Sequence, residues 1–432
     1  MIITGRGREG EVHLALPLYF FTSISLLPTL AQADKRGKKE RFVVLIKTAH
    51  LKMLPELYLN CLESQLSASQ LLTLEMLVWL LQFHKQVRVE RLAACLPLPI
   101  LYESRRRHVQ RFLALPQLSI PLLWFPLIKC ILLTQIQPGT QVIIPLDRTQ
   151  WKQNNLFVVS VIWDKRAWPI YWQFLSHTGS SNLAQQQALL RPVLRLLKGY
   201  ELVVVGDREF RSVELAYWLK QKKVYFALRQ KQGNYLKRKG QEYQKLSELG
   251  LAPGMKLFLT GVNFTKKKGF GKFSLAAYWK RKYRGQGSNE GWYILTNLSS
   301  LDAALKVYQA RSGIEAMFKD CKSGGYNLED SKASVERLTS LVLLIALAYT
   351  CAGLRGQRIK ASGQQKYIGR LQELKRMTRR HSNFWVGLYG QMWVAALESC
   401  SDWVRNLMMI RPNKRRFFQK GLRAMALIQA DF

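Results

Sequence analysis

Apolar residues recur with the three-and-four spacing of one buried helical face between about Leu51 and Leu115, as Leu71, Leu74, Leu77, Val78 and Leu81. The stretch from Val87 to Pro116 adds Ala93, Ala94 and Leu96, then Ser104-Arg105-Arg106-Arg107 and a periodic His108 to Leu113. This predicts a small helical domain in which the second helix of a pair carries basic residues. The pattern suits DNA contact, although any basic amphipathic helix shares it.

The period changes after Pro138. Val142 to Leu146, Leu156 to Trp163 and Trp168 to Phe174 are β-branched or aromatic runs, separated by the polar Gln150 to Asn155 and by Asp164 to Ala167, and they read as three successive strands. Asn182 to Leu197 then reads as a helix, Glu201 to Val205 as a buried strand, Val213 to Gln221 as a helix and Val224 to Leu228 as a strand. The order βββαβαβ describes a mixed α/β sheet flanked by helices. Between Gln230 and Gly291 the chain turns rich in Lys, Gly, Thr and aromatics, with alternating stretches at Lys256 to Phe264 and Phe273 to Trp279, a β-rich insertion. Trp292 to Leu295 is a further strand. Helical patterns resume with Ser300 to Lys322, the apolar Leu338 to Leu354 and the segments beyond.

These changes divide the chain into an extension (1–50), a helical domain whose basic face suits DNA (51–135), the first part of the mixed-sheet domain (136–230), the insertion (231–291), the last strand and the Glu315 helix of the mixed-sheet domain (292–370) and a basic helical C-terminal region (371–432). A chain of 432 residues, 48% hydrophobic, is long for a single core and has ample apolar surface to bury.

Charge narrows the partner. Lys and Arg number 66 against 28 Asp and Glu, so 66 − 28 gives +38. Basic runs at Lys35 to Arg41, Arg105 to Arg107, Lys266 to Lys268, Lys280 to Arg284, Arg376 to Arg380 and Lys414 to Arg416 span the length. One such run is usually a solvated surface; six along the chain favour a nucleic acid over a membrane. The six cysteines contain no CxxC pair and no His at ligand spacing, which argues against structural zinc and a disulfide framework. At the N-terminus, Leu14 to Leu30 is apolar and ends in Ala31-Gln32-Ala33, imitating a secretory signal. It reads as a targeting segment, as an appendage, or as the result of a start placed upstream of a true one at Met53; the cytoplasm, with no membrane partner, is the expected compartment.

The chemistry gathers in acids. Asp147 is expected at the end of the first strand and Asp207 just past the end of the fourth, where neighbouring strands of one sheet place two carboxylates side by side. Either Asp is equally a turn residue. On a helix of about 100° per residue, Tyr308, Arg311, Glu315 and Lys322 lie at roughly 0°, −60°, −20° and −40°, one stripe, with Ala310, Ile314, Met317 and Cys321 on the far side. A plain amphipathic helix is also polar on one face. An acid flanked by Arg and Lys about one and two turns away is what a metal-binding carboxylate beside phosphate-gripping cations requires.

Tyr308-x2-Arg311-x3-Glu315-x6-Lys322, with Asp147-Arg148-Thr149 and Gly206-Asp207-Arg208-Glu209-Phe210, resembles the signature of the insertion-sequence-four family of bacterial DDE transposases over about Gln141 to Lys332. The resemblance implies a ribonuclease H-like catalytic fold in which Asp147, Asp207 and Glu315 bind two Mg²⁺ or Mn²⁺ ions. It implies DNA contacts by Tyr308, Arg311 and Lys322, and by Arg229 just after the fifth strand. It further implies a Trp that stacks a flipped base in a hairpin intermediate, a place that Trp292 takes unless it is a core residue at the sheet edge. Asp164, Glu209 and Glu329 are nearby acids that fit neither the strand position nor the spacing.

The expected function is cut-and-paste transposition of an insertion sequence. The enzyme would act on terminal inverted repeats and target DNA as a homodimer. The alternative is a catalytically inactive, transposase-derived DNA-binding protein.

Overall fold

The computed structural model describes residues 54–266, 270–281, 290–372 and 380–430. The N-terminal extension therefore lies outside the described residues.

Among the described residues five helices come first: α1 (Glu56–Leu62), α2 (Ala68–His84), α3 (Val89–Cys95), α4 (Tyr102–Leu113) and α5 (Phe125–Gln135). Helix α2 starts on a capping box, in which the Ser67 side chain accepts from the Gln70 N–H and Gln70 reaches back to the Ser67 N–H. Its apolar stripe of Leu74, Leu77, Val78 and Leu81 is fully buried. In α4, Arg105 is spent on structure, donating to the carbonyls of Ala93 and Ile100.

The sheet begins with β1 (Gln141–Trp151), β2 (Asn154–Trp163) and β3 (Arg166–Phe174), an antiparallel meander. Strand β1 is longer than the sequence pattern suggests. The polar Gln150 to Asn155 does not separate two strands. It forms the hairpin itself, paired out to Trp151 opposite Asn154. The next hairpin closes on Asp164-Lys165, both with positive φ (42° and 66°), as a two-residue turn matched to strand twist demands.

Helix α6 (Leu183–Leu196), β4 (Glu201–Gly206), α7 (Val213–Gln221) and β5 (Tyr225–Arg229) follow, with β4 and β5 running parallel to β1. The β-rich segment contributes β6 (Tyr235–Lys237), β7 (Gln244–Lys245), β8 (Lys256–Phe264) and β9 (Phe270–Tyr278), and β10 (Trp292–Thr296) joins it to β5. Among the described residues the outcome is one ten-stranded mixed sheet in the order β3-β2-β1-β4-β5-β10-β9-β8-β6-β7. The insertion extends the catalytic sheet through hydrogen bonds.

Alternation along β4 separates two cores. Leu202 and Val204 enter the large core shared with the N-terminal helices, while Val203 and Val205 face a second core with Ala227, Ile294 and Tyr308. Helix α8 (Leu301–Ala310) supplies Ala304, Leu305, Val307 and Tyr308 to the second core, and α9 (Ser312–Cys321) packs on β1, β2 and β3. The two helices break at Arg311, so Tyr308 and Glu315 do not share one continuous helix as the periodicity predicts. Arg311 itself keeps right-handed helical dihedrals, which preserves the angular relation between them.

Helix α10 (Val335–Ala361) is long and apolar enough to cross a membrane, but 83% of its most apolar window is buried, and it serves as a core helix. It is followed by α11 (Gln365–Ile368), α12 (Asn383–Ser399), α13 (Ser401–Ile410) and α14 (Arg415–Ala430). Helices α10 and α12 cross with their backbones nearly touching. A Cβ on Gly356 would lie 1.8 Å from the Asn383 carbonyl oxygen, and one on Gly387 would lie 1.8 Å from that of Ala352.

Candidate active site

The parallel register of β1 and β4 ends on Leu146 opposite Gly206, so Asp147 and Asp207 are the next residues on adjacent strands. Asp147 is not at a strand end as expected. It leaves the parallel ladder with β4 but continues, opposite Val158, in the antiparallel hairpin with β2. Its backbone is thus held on one side and its carboxylate is offered on the other. Beyond Asp207 the chain tightens into a short turn, Arg208–Phe210, in which the Asp207 carboxylate accepts from the Glu209 N–H at 2.8 Å. Gly206 permits this fold-back, since a Cβ there would meet the Cβ of Phe210 at 2.7 Å.

Glu315 arrives from α9, whose approach depends on Gly313. A Cβ at Gly313 would come within 2.8 Å of Ile162 Cδ1 and 3.3 Å of the Arg166–Ala167 backbone. Ile314, Met317 and Cys321 point into the core, and the Glu315 side chain is 57% exposed on the opposite side.

Arg311 ties the acids together. Its guanidinium donates to Asp147 Oδ2 at 3.0 Å and also to Glu315 Oε1. Burial pushes the Asp147 carboxyl up to about 6, opposed by the Arg311 charge and the Arg148 N–H, while the charges of Asp207 and Glu315 push it further up. Asp147 therefore senses both other acids. Burial works against the charge on Arg311, but Asp147, Tyr308, Glu315 and Asp207 more than offset it.

Around the acids stands a ring of cations. Burial lowers the pKa of Arg229, which lies close enough to the Tyr308 hydroxyl, Arg208 and Arg311 to feel all three. Trp292 is half-buried and meets Tyr308 edge to face, ring centroids 5.0 Å apart at 71°. Arg311 and Tyr308 thus stand against the acids, and Arg229 and Trp292 join the group through Tyr308. Lys322 stands apart, at the end of α9, with its ammonium 2.5 Å from Glu329. The other nearby acids have structural partners: Asp164 accepts from Asn383 at 2.6 Å, and Glu209 pairs with Arg148 at 3.0 Å.

Two charged residues beside the acids were not singled out by the sequence pattern. Arg208 meets Glu290, which also accepts from Arg229 at 2.9 Å. Arg208 directly follows Asp207, and that adjacency was the available signal. Nothing in the sequence points to Glu290.

The donor set is right in kind for a hard divalent cation, since all three acids offer carboxylate oxygens and the charged form of Asp147 is disfavoured by burial, with Asp207 and Glu315 adding to it. As the side chains stand, Arg311 lies between Asp147 and Glu315. Among the described residues no group of three His, Cys, Asp or Glu is closed tightly enough to hold an ion. Arg311 supplies the positive charge that the acids call for.

No curated protein matches the chain. Solved structures do, among them the cryo-EM structure of a piggyBac transposase synaptic complex with hairpin DNA, 11% identical with a TM-score of 0.37 over 80% of this chain and 77% of that one. Residues 155–351 match the family model of the transposase DDE domain, a stretch that contains Asp207 and Glu315 and begins after Asp147.

Proposed function

We propose that the chain is a DNA transposase of the insertion-sequence-four type, cutting and joining phosphodiester bonds at a ribonuclease H-like site formed by Asp147, Asp207 and Glu315. The observation that carries this reading is that Asp147 of β1 and Glu315 of α9 share one cation, Arg311, with Asp207 at the end of β4 near enough to act on both Asp147 and Arg311, within a stretch largely covered by the match to the transposase DDE domain. The strand order β3-β2-β1-β4-β5, antiparallel through β1 and parallel beyond it, supports the fold assignment.

Asp147, Asp207 and Glu315 would hold two Mg²⁺ or Mn²⁺ ions, which when bound activate the attacking oxygen and stabilise the leaving 3′ oxygen. Two rigid strands present the aspartates at fixed separation, and α9 brings Glu315 across them. Arg311 exchanges its carboxylates for a backbone phosphate. Arg229 and Tyr308 grip phosphate beside it, and Lys322 contacts DNA further along the groove. Trp292, already half-exposed against Tyr308, takes a flipped base in a hairpin intermediate. The element's terminal inverted repeats and a target duplex are the substrates. A homodimer bridges two ends, and the compartment is the cytoplasm, at the nucleoid.

The test is a nicking assay with purified protein, Mg²⁺ and a duplex carrying the inverted repeat read from the DNA flanking the gene. The parent is expected to nick and Asp207→Ala to lose nicking by orders of magnitude. Equal nicking by both sinks the triad. Binding without cleavage in either metal selects a noncatalytic DNA-binding protein.

A further inference from the structure

One carboxylate sits on two arginines at the edge of the site. Glu290 Oε1 accepts from the Arg229 guanidinium at 2.9 Å, and the Arg208 guanidinium meets the same oxygen. The two arginines come from different strands: Arg229 ends β5, and Arg208 follows Asp207 at the end of β4. They converge because β4 and β5 are parallel neighbours, with Gly206 opposite Leu228 in the register. The acid comes from a third direction. Glu290 lies at the end of the β-rich insertion, two residues before β10, the strand whose Ile294 pairs with Arg229.

Two guanidiniums on a single oxygen anion form the arrangement that recognises a phosphate. Carboxylate and phosphate oxygens make the same demand on a guanidinium fork, and the fork cannot lose its charge. The Arg229 side chain is only 17% exposed, so leaving it without an anion is costly, whereas the Glu290 side chain is 33% exposed and can turn out to water. In a chain with 66 basic and 28 acidic residues, an acid placed on this pair opposes the overall field of the protein.

We infer that Arg208 and Arg229 form a binding site for one backbone phosphate of DNA, and that Glu290 holds this site as an internal phosphate mimic which DNA must displace. The inference rests on the DNA-binding part of the proposed function. It adds Arg208 to the contact set and makes the end of the insertion a latch. Since Arg208 is adjacent to Asp207, a phosphate seated on the pair anchors the strand next to the reacting acids. Since Glu290 is two residues from Trp292, its release loosens the lead-in to the residue proposed to stack a flipped base.

The experiment measures binding of the full chain to a fluorescent 20-bp duplex in EDTA at several salt concentrations, so that neither metal nor cleavage enters. Glu290→Gln is expected to bind about 5-fold tighter than the parent, a typical yield for removing a competing ion pair. Glu242→Gln, the same charge change at an exposed position of the insertion, is expected to stay within about twofold. In an Arg208→Gln/Arg229→Gln background the Glu290→Gln gain should vanish. Thermal melts check folding, and Glu290→Ser serves if Glu290→Gln fails to fold.

The latch is overturned if Glu290→Gln binds no tighter than Glu242→Gln, or if its gain survives loss of both arginines. Those results leave the proposed function intact. Failure of every variant to bind any duplex overturns the DNA role and the latch together. A parent that binds but does not nick in Mg²⁺ overturns catalysis and leaves the latch standing.

Discussion

Arg311 donates to Asp147 Oδ2 at 3.0 Å, with both side chains about 15% exposed, and this pair ties β1 to the junction of α8 and α9. Removing the arginine leaves a buried carboxylate facing two others. Arg311→Ala is therefore expected to cost about 3 kcal/mol in EDTA, the usual penalty for orphaning a buried charge. Mn²⁺ should then raise the melting temperature of the variant by several degrees more than that of the parent, because the ion relieves a repulsion that Arg311 otherwise relieves. Thermal melts of both proteins with and without Mn²⁺ decide it. Equal Mn²⁺ shifts would show that the acids do not share a cation.

Gly313 controls how close α9 lies to the β2–β3 hairpin. A methyl group there meets Ile162 Cδ1 at 2.8 Å, an end that can yield, and the Arg166–Ala167 backbone at 3.3 Å, which cannot move far. Gly313→Val should cost about 2 kcal/mol by overpacking. It should reduce nicking at least about 100-fold, because Glu315 is displaced two residues further on. Retention of nicking with lost stability would mean that the position of Glu315 is not critical.

Much of this was legible in the chain because the relevant periods are strong. The β-branched runs fixed β2 through β5 to within two or three residues, and the alternating stretch Lys256 to Phe264 is β8 itself. The position of Asp207 just past β4 was legible because a strand end is a local property. What failed was non-local. The extension of β1 past Asp147 depends on pairing with β2, which the polar Gln150 to Asn155 conceals. The break at Arg311 follows from the packing of α8 and α9 on different parts of the sheet. Glu290 reaches Arg208 and Arg229 through sheet topology, with no spacing in the chain to announce it.

Trp292 and Tyr308 pack edge to face, so the ring serves the second core whatever else it does. Trp292→Ala should cost about 1 kcal/mol beyond the loss of buried area. On the proposed mechanism it should leave the first nick within about threefold and abolish hairpin formation, because a tight DNA turn needs a surface for the unstacked base. Denaturing gels separate the two products. An unchanged hairpin yield would reduce Trp292 to a core residue.

Asp320 sits at the foot of α9 with its Oδ2 buried, without a hydrogen-bond partner and 3.6 Å from Arg166 Nε. Burial raises its pKa to about 6, with Arg166 and Lys319 pulling the other way. The native state therefore binds this proton more tightly than the unfolded chain, so the contribution of Asp320 to stability is greatest below pH about 4 and falls as the pH rises to about 6. The fall attributable to Asp320 is on the order of 3 kcal/mol for a shift of about two units. Asp320→Asn should flatten that part of the profile, measured by urea unfolding at pH 4 to 7. A variant whose profile runs parallel to that of the parent would show that Asp320 is charged throughout.

The Arg148–Glu209 pair stands directly behind the two aspartates, each partner one or two residues beyond its acid. The guanidinium meets both Glu209 oxygens at 3.0 to 3.1 Å and donates to Asn155 Oδ1 at 2.8 Å. Glu209 Oε1 also accepts from the N–H and hydroxyl of Ser181, while the fully buried Asn155 donates to the carbonyls of His177 and Gly179. One network thus ties β1, β2, the loop before α6 and the turn after β4. Arg148→Leu or Glu209→Leu alone should each cost about 3 kcal/mol, because each orphans a largely buried charge. The double variant should cost 1 to 3 kcal/mol less than the sum of the two, roughly the coupling of a network. Nicking should remain lost in the double variant, since restored packing does not restore the spacing of Asp147 and Asp207. Urea unfolding of the four proteins gives the coupling, and strict additivity would show that the pair does not hold the two strands together.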